Sequence, residues 1–230
     1  MPSKKQLFCF TYAGGSASFF ETIERDLPEL MLVKPEYPGH GMRRKEPLCT
    51  SFDELAVDML RQMKESRIED DYALFGYSMG SITLVEVLKR ILGEGLTPPK
   101  RVFLAAHEPM TKAFTVDIAE DLDTWVKERT IRFGTLPEKL IGNESFWRLY
   151  LPLYRADYSM IGKYHFEDLV LKTEIPATIF YSETDTPWAD MAKWKNYFAG
   201  ECEFCRFTGS HFFIQQYHRE IADIIRKAMA

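Results

Sequence analysis

The stretch ALFGYSMGSITLVEVL, residues 73–88, joins an apolar strand pattern, a sharp turn and a run of apolar residues at helical spacing. At the turn, the segment GYSMG places Ser78 between Gly76 and Gly80. Turns of this kind hold a serine at a strained backbone position, and they need glycine because the neighbouring strand and helix leave no room for larger side chains. The pattern predicts that Ser78 is a nucleophile. The alternative is an ordinary turn between a strand and a helix.

Short apolar strands alternate with amphipathic helices along the chain. The clearest helix covers residues 52–66, where Ser51 and Glu54 have the spacing of a capping box. Alternation of this kind predicts an α/β fold with a mostly parallel sheet covered by helices on both faces. The predicted strands lie near residues 6–12, 30–35, 72–76, 101–106, 177–182 and 203–207.

One segment, residues 111–171, interrupts this alternation because it carries helical patterns and no strand pattern. A helical insertion that follows the strand ending near His107 would lie over the carboxyl ends of the strands, where open α/β sheets bind ligands. We therefore expect a core made of residues 1–110 and 172–230, with residues 111–171 inserted as a helical lid.

Length and charge limit the possible classes of protein. A chain of 230 residues suits one domain with a full core. The net charge of −5 argues against nucleic acid as a partner, because phosphate binding needs an excess of Lys and Arg. The apolar segment at residues 7–13 is too short to span a membrane and lacks the layout of a signal peptide. A cytoplasmic protein without a membrane partner is therefore expected.

Two cysteines form a C-x-x-C motif, a spacing found in redox pairs and in half of a zinc site. Cys202 and Cys205, however, fall in an alternating strand pattern, where positions three apart point to opposite faces. The motif is therefore interpreted as two strand cysteines.

A serine nucleophile needs a base, and His211 fits this role best. It follows the last predicted strand and precedes a helix, in agreement with the chain order serine, acid, histidine. His107 is the alternative base, since it follows the strand 101–106 at the same edge of the sheet. Because it precedes any suitable acid in the chain, it is more plausible as a residue of the pocket wall. His40, in YPGHGM, is interpreted as part of a turn.

The acid that orients this base should lie in a loop after a late strand. Both Glu183 and Asp185 follow the strand 177–182. Asp185 is favoured because it lies further beyond the strand and precedes Thr186 and Pro187, which would fix the loop.

An oxyanion hole needs two backbone N–H donors. One is expected from Met79, the residue after the nucleophile, at the amino end of a helix. The other is expected from Ala13, because the glycines of FTYAGGSAS would let the backbone approach a substrate closely.

Taken together, the segments TYAGGSAS, YPGHGMRRKEP, GYSMGS, LYRADYSMIGKY and TGSHFFI resemble the type II thioesterases, the stand-alone α/β-hydrolases that accompany nonribosomal peptide and polyketide synthases. The resemblance covers nearly the whole chain. It implies an α/β-hydrolase fold, a triad of Ser78, Asp185 and His211, and oxyanion donors at Ala13 and Met79. The segment AAHEP, residues 105–109, departs from the family pattern, as does TGSH in place of a double glycine.

The resemblance implies hydrolysis of acyl or aminoacyl thioesters from the phosphopantetheine arm of carrier proteins, which would remove aberrant acyl groups from the synthase. No cofactor or metal is expected, and a monomer is expected. The alternatives are a medium-chain fatty acyl thioesterase, a carboxylesterase and a non-catalytic protein that binds carrier domains. Large side chains of the lid are expected to form either an apolar acyl pocket with a docking face or the core of the lid itself: Trp125, Phe133, Phe146, Trp147, Leu151 and Met160.

Overall fold

The centre of the fold is a parallel sheet, seen in a computed structural model that describes residues 4–109, 122–133, 136 and 138–230. Its strands are Gln6–Phe10 (β1), Met31–Val33 (β2), Tyr72–Tyr77 (β3), Arg101–Ala105 (β4), Ala177–Ser182 (β5) and Cys202–Phe207 (β6). The spatial order is β2-β1-β3-β4-β5-β6, and every neighbouring pair is parallel. Phe75 lies opposite Cys9 on one side and Phe103 on the other. The predicted strands and their parallel arrangement are confirmed.

Helices of the described residues cover both faces of the sheet. The α-helices are Glu21–Asp26 (α1), Phe52–Glu65 (α2), Met79–Gly93 (α3), Leu122–Arg132 (α4), Glu138–Ile141 (α5), Glu144–Lys163 (α6), Trp188–Met191 (α7) and His218–Ala228 (α8). Short 3-10 turns add Ala17–Phe20, Gly41–Arg43, Phe166–Asp168, Ala192–Asn196 and Phe213–Gln215. The capping box at α2 forms as predicted, because the backbone N–H of Glu54 donates to the Ser51 hydroxyl. No helix in the described part of the chain has the length and apolar character needed to cross a bilayer.

The core consists of two layers, one on each face of the sheet. Neighbouring residues of β3 enter different layers: Leu74 belongs to the layer that contains Leu60 of α2, whereas Phe75 belongs to the layer that contains Ile23 of α1 and Ile225 of α8. Strands β1, β3 and β5 are buried along their whole length, which is typical of a parallel sheet covered on both faces.

The two strand cysteines face opposite sides of the sheet. Cys202 packs against the layer that contains α2, and Cys205 packs against the layer that contains α1 and α8. Burial raises the pKa of each thiol to about 11. The two thiols therefore lack the arrangement of a redox pair or a metal site, in agreement with the interpretation from the sequence.

Helices α4, α5 and α6 lie between β4 and β5 in the chain, and the described residues of 122–171 form no strand of the sheet. Part of the segment expected as a lid, residues 111–121, lies outside the described residues. Along α6, Trp147, Leu151, Tyr154, Tyr158 and Met160 are buried and belong to the same layer of the core as α2 and α3. The helix is therefore anchored to the sheet domain by apolar contacts.

Candidate active site

Ser78 lies at the sharp turn between β3 and α3. Its backbone has φ 55° and ψ −120°, a region that residues other than glycine rarely adopt. The Ser78 N–H donates to the carbonyl of Ala105 at 2.8 Å, which ties the turn to the end of β4. The flanking glycines have a steric cause: a Cβ at Gly76 would lie 2.3 Å from the Gly80 oxygen, and a Cβ at Gly80 would lie 2.0 Å from the Phe10 oxygen. The strained turn predicted from GYSMG is therefore present.

Gly80→Ala is expected to lower the free energy of unfolding by about 3 kcal/mol, since neither the new methyl group nor the backbone of β1 can move away without strain. Gly93→Ala, at the other end of α3, is the matched control. A Cβ there meets no described atom within 4 Å, so we expect a gain of about 0.5–1 kcal/mol from the lower entropy of the unfolded chain. Urea unfolding of both variants measures the difference. Equal effects would contradict the steric explanation.

Three side chains from distant parts of the sequence form one chain of hydrogen bonds. His211 Nε2 lies 2.9 Å from Ser78 Oγ. His211 Nδ1 lies 3.0 Å and 2.9 Å from the two carboxylate oxygens of Asp185. The carboxylate accepts a hydrogen bond from Nδ1–H, which leaves Nε2 as the acceptor for the serine hydroxyl. Ser78 and His211 are only 9% and 7% exposed, so the protein shields most of this pair from bulk solvent and leaves it open toward a cavity.

Two contacts hold the imidazole of His211 in this orientation. The ring of Phe133, at the end of α4, stacks on it at a centroid distance of 4.1 Å. The hydroxyl of Tyr77 donates to the His211 carbonyl at 2.6 Å. Both contacts restrict the ring and its backbone, which favours a fixed distance to the serine.

The structure separates the two acids that follow β5. The N–H groups of Asp185 and Thr186 both donate to the carbonyl of Ser182, and the resulting turn directs Asp185 toward His211. Glu183 is exposed and pairs instead with Arg206 at 3.0 Å. Asp185 is therefore the acid beside the histidine.

His107, the other candidate base, does not contact Ser78. Its Nδ1–H donates to the carbonyl of Glu108 at 2.6 Å, and its ring lines the cavity next to Ser78. Its position in the pocket wall agrees with the second interpretation of this residue from the sequence.

Ala13 and Met79 both lie next to the serine. Ala13 lines a small cavity together with Ser78 and His211, and Met79 is the first residue of α3. Gly14 has φ 77°, which lets the chain turn directly after Ala13. Both residues therefore border the serine, and their role as oxyanion donors stays a prediction.

A buried pair of His40 and Asp157 lies beside this loop. His40 Nε2 is 2.9 Å from Asp157 Oδ2, and its Nδ1–H donates to the Pro38 carbonyl at 2.9 Å. The same carboxylate oxygen accepts the Gly14 N–H at 2.6 Å. Burial alone would lower the pKa of His40, but the charge of Asp157 and the hydrogen bonds outweigh it and raise this pKa above its usual value.

This pair was not predicted from the sequence, in which the motif around His40 indicates only a turn. The motif PGHG does form a turn, since His40 N–H donates to the Tyr37 carbonyl. The segment LYRADYSMIGKY contains one acid, Asp157, among mostly apolar and aromatic residues, which indicates that this acid is buried. The segment does not identify His40, 117 positions away, as the partner of this acid.

Asp157→Ala is expected to lower the free energy of unfolding by about 3–5 kcal/mol, because it leaves the His40 imidazolium and the Gly14 N–H buried without their partner. Asp123→Ala, on the neighbouring helix α4, is the control. Asp123 pairs with Arg155 on the surface, and such pairs contribute about 0–1 kcal/mol. Urea unfolding measures both variants.

The pH dependence of unfolding gives this prediction a second readout. A raised pKa in the folded protein means that the stability from protonated His40 is fully present below the unfolded value of 6.5 and is lost as pH rises through the folded value. We expect this loss in the wild type and its absence in Asp157→Ala. An unchanged pH profile would contradict the ion pair.

A cavity of about 300 Å³ opens beside Ser78 and His211. Of the six large side chains that the sequence analysis assigned to the lid, only Phe133 lines it. Trp147, Leu151 and Met160 form neither a wall of this cavity nor a separate lid core, because they are buried in the layer that also contains residues of the sheet, α2 and α3. Among the described residues, the cavity wall combines polar and apolar side chains: His107, Glu108, Arg129, Arg132, Thr184 and Ser210 lie in it together with Ala106, Phe133, Tyr158 and Ile161. Within the described residues, no group of His, Cys, Asp and Glu side chains has the arrangement of a metal site.

A parallel sheet with a serine at the turn after its central strand, and an acid and a histidine from loops after later strands, defines the α/β-hydrolase fold. The chain belongs to the thioesterase domain family, whose sequence profile, described as "Thioesterase domain", matches residues 5–229.

Relatives with known names agree with this family. The chain is 30% identical over 228 residues to a protein of Streptomyces griseus named "Probable cadicidin biosynthesis thioesterase", covering 97% of this chain and 62% of that one. It is 26% identical to the gramicidin S biosynthesis protein GrsT of Aneurinibacillus migulanus, covering 99% and 90%. The solved structure of the type II thioesterase BorB from the borrelidin biosynthetic cluster superposes with a TM-score of 0.87 at 25% identity, covering 100% and 94%. The resemblance to type II thioesterases is thereby confirmed.

Proposed function

We propose that this protein is a stand-alone type II thioesterase that hydrolyses acyl or aminoacyl thioesters on the phosphopantetheine arms of carrier proteins. Its role would be to remove aberrant acyl groups and so regenerate nonribosomal peptide or polyketide synthases in the cytoplasm. The observation that carries the proposal is the hydrogen-bonded series Ser78, His211 and Asp185 in a member of the thioesterase domain family. The biosynthetic relatives supply the substrate class.

The first half of the reaction forms an acyl-enzyme. His211 Nε2 takes the proton of the Ser78 hydroxyl while Oγ attacks the thioester carbonyl carbon. The carbonyl oxygen gains the negative charge, and the N–H groups of Ala13 and Met79 donate to it. The C–S bond then breaks, and His211 returns its proton to the leaving thiolate.

The second half releases the acid. His211 takes a proton from water, whose oxygen attacks the ester carbonyl of the acyl-enzyme. Collapse of this second intermediate breaks the bond to Oγ, and His211 gives the proton back to Ser78. Asp185 accepts a hydrogen bond from the Nδ1–H group throughout, which keeps the imidazole in the required tautomer and stabilises its cationic form.

We further propose that residues 1–110 and 172–230 form the catalytic core and that residues 111–171 form a lid over it. The support comes from α4 and α6, whose side chains Thr130, Phe133, Tyr154 and Tyr158 line the small cavity that reaches Ser78. Asp157 of α6 also bonds to the loop that carries Ala13. A lid in this position would exclude water and contact the acyl group.

Hydrolysis of loaded carrier proteins tests the proposed function. A phosphopantetheinylated carrier protein carrying acetyl, propionyl, octanoyl or aminoacyl groups is incubated with the enzyme, and intact-protein mass spectrometry follows release. We expect Ser78-dependent release of the short groups. Release of octanoyl alone would support the fatty acyl alternative. Comparable turnover of an oxygen ester would support a carboxylesterase, and binding without release would support a non-catalytic protein.

A further inference from the structure

The cavity beside the nucleophile contains charged groups of both signs and an uncharged hydrogen-bond acceptor. Arg129 and Arg132 contribute guanidinium groups, and Glu108 contributes a carboxylate. The Arg129 guanidinium lies 5.0 Å from the ring centre of Phe133, the residue that stacks on His211, so this side of the cavity adjoins the catalytic histidine. At about 300 Å³ the cavity is at the lower end of the range for ligand sites, which favours short acyl groups.

His107 supplies the neutral acceptor. It is 8% exposed, and its Nδ1–H is committed to the Glu108 carbonyl. Its own carbonyl accepts the indole N–H of Trp194 at 2.9 Å, which fixes the backbone. Among the described residues, nothing hydrogen-bonds to Nε2, so its lone pair is available on a ring that lines the cavity. Burial lowers the pKa of His107, and His211 and Arg129 lower it further against the opposing effect of Glu108, so the ring is neutral near pH 7.

Three kinds of acyl group fit this wall poorly. An alkyl chain has no donor for the Nε2 atom of His107. A carboxylate also has no proton to donate to it, and an ammonium group, which could donate, has the same charge as Arg129 and Arg132. A hydroxyl group is both a donor and an acceptor, so it can donate to His107 Nε2 and accept from a guanidinium at the same time.

We propose that His107 is a specificity-determining residue, and that its Nε2 accepts a hydrogen bond from a hydroxyl group on the acyl chain, so that the enzyme prefers short hydroxyacyl thioesters. This inference rests on the proposed function, because it concerns the acyl group held beside Ser78. It also explains why the segment AAHEP departs from the family pattern at this point.

Matched pairs of pantetheine thioesters test the preference. Lactyl is compared with isobutyryl and 3-hydroxybutyryl with 3-methylbutyryl, since each pair exchanges a hydroxyl for a methyl group; alanyl supplies the ammonium. The readout is the ratio of kcat/KM within each pair, measured for the wild type, His107→Leu and His107→Gln. The two thioesters of a pair differ in intrinsic reactivity, but this difference cancels when their kcat/KM ratio is compared between enzyme variants. A structural defect alone would lower both members of a pair equally.

We expect His107→Leu to reduce the hydroxyacyl preference about tenfold in at least one pair, and His107→Gln, which keeps an acceptor, to retain part of it. If His107→Leu does not fold, Arg132→Gln at the exposed rim is expected to reduce the ratio about threefold. Ratios unchanged within twofold in every variant, or a preference for alanyl over lactyl, would overturn the inference.

Ser78→Ala is assayed on the same thioesters. If it is as active as the wild type, the proposed function itself fails, whereas Ser78-dependent hydrolysis with unchanged ratios rejects only the role of His107.

Discussion

Ser78→Ala is expected to lower kcat for thioester hydrolysis by about 10⁴-fold or more, because it removes the hydroxyl oxygen that has a base at 2.9 Å and would attack the carbonyl. The substitution removes one oxygen and keeps the Cβ, so the backbone conformation at φ 55° is as accessible as before. The hydroxyl contributes its hydrogen bond to His211 at the edge of a cavity, where water can replace it. The thermal unfolding midpoint should therefore remain within a few degrees of the wild type.

Ser81→Ala is the matched control for this prediction. Ser81 lies one turn along α3, and its hydroxyl donates to the Gly76 carbonyl at 3.0 Å and accepts the Ala105 N–H at 3.3 Å. Its loss should lower the free energy of unfolding by about 1–2 kcal/mol while kcat changes only a few-fold. Ser78→Ala should therefore change mainly kcat, whereas Ser81→Ala should change mainly the free energy of unfolding. If Ser78→Ala kept a tenth of the wild-type rate, the assignment of the nucleophile would be wrong.

Local chemistry determined the parts of the site that could be predicted from the sequence. The glycines around Ser78 are required by contacts with β1 and with the helix itself, and such contacts follow from any strand, turn and helix in this order. The chain order serine, acid, histidine placed Asp185 and His211 at the same edge of the sheet, because the carboxyl ends of parallel strands lie together. These constraints involve backbone geometry and topology, which short patterns specify.

The parts that could not be predicted depend on long-range contacts of side chains. The sequence predicts that His40 is a turn residue, yet its ring is buried against the Asp157 carboxylate of α6. No periodic pattern in the sequence indicates that these two residues pair. The residues of the cavity wall could not be predicted from the sequence either. The large residues of α6 have the spacing of an amphipathic helix, which fits a core and an acyl pocket alike. Which of the two they form is decided by the tertiary position of the helix, and here most of them pack against the sheet domain.

Asp185→Asn is expected to lower kcat by about 10⁴-fold, the second largest effect after removal of the nucleophile. An amide in this position can donate a hydrogen bond to His211 Nδ1, which would shift the ring proton to Nε2 and leave no lone pair to accept the proton of Ser78. The amide also lacks the negative charge that stabilises the imidazolium formed during attack. KM should change little, because the carboxylate acts through the histidine and makes no contact with the leaving group in the proposed mechanism.

Glu183→Gln is the control that the sequence itself offers, since both acids follow β5 and both were candidates for this role. Glu183 is exposed and bonded to Arg206, so its loss should change kcat by less than twofold and the free energy of unfolding by less than about 1 kcal/mol. Steady-state kinetics on an acyl-pantetheine thioester compares the two variants at one pH. Similar losses in both, or a larger loss in Glu183→Gln, would mean that the loop rearranges when substrate binds and that the acid has been assigned to the wrong residue. A loss confined to Asp185→Asn would show that the bidentate contact with His211 is the one used in the reaction.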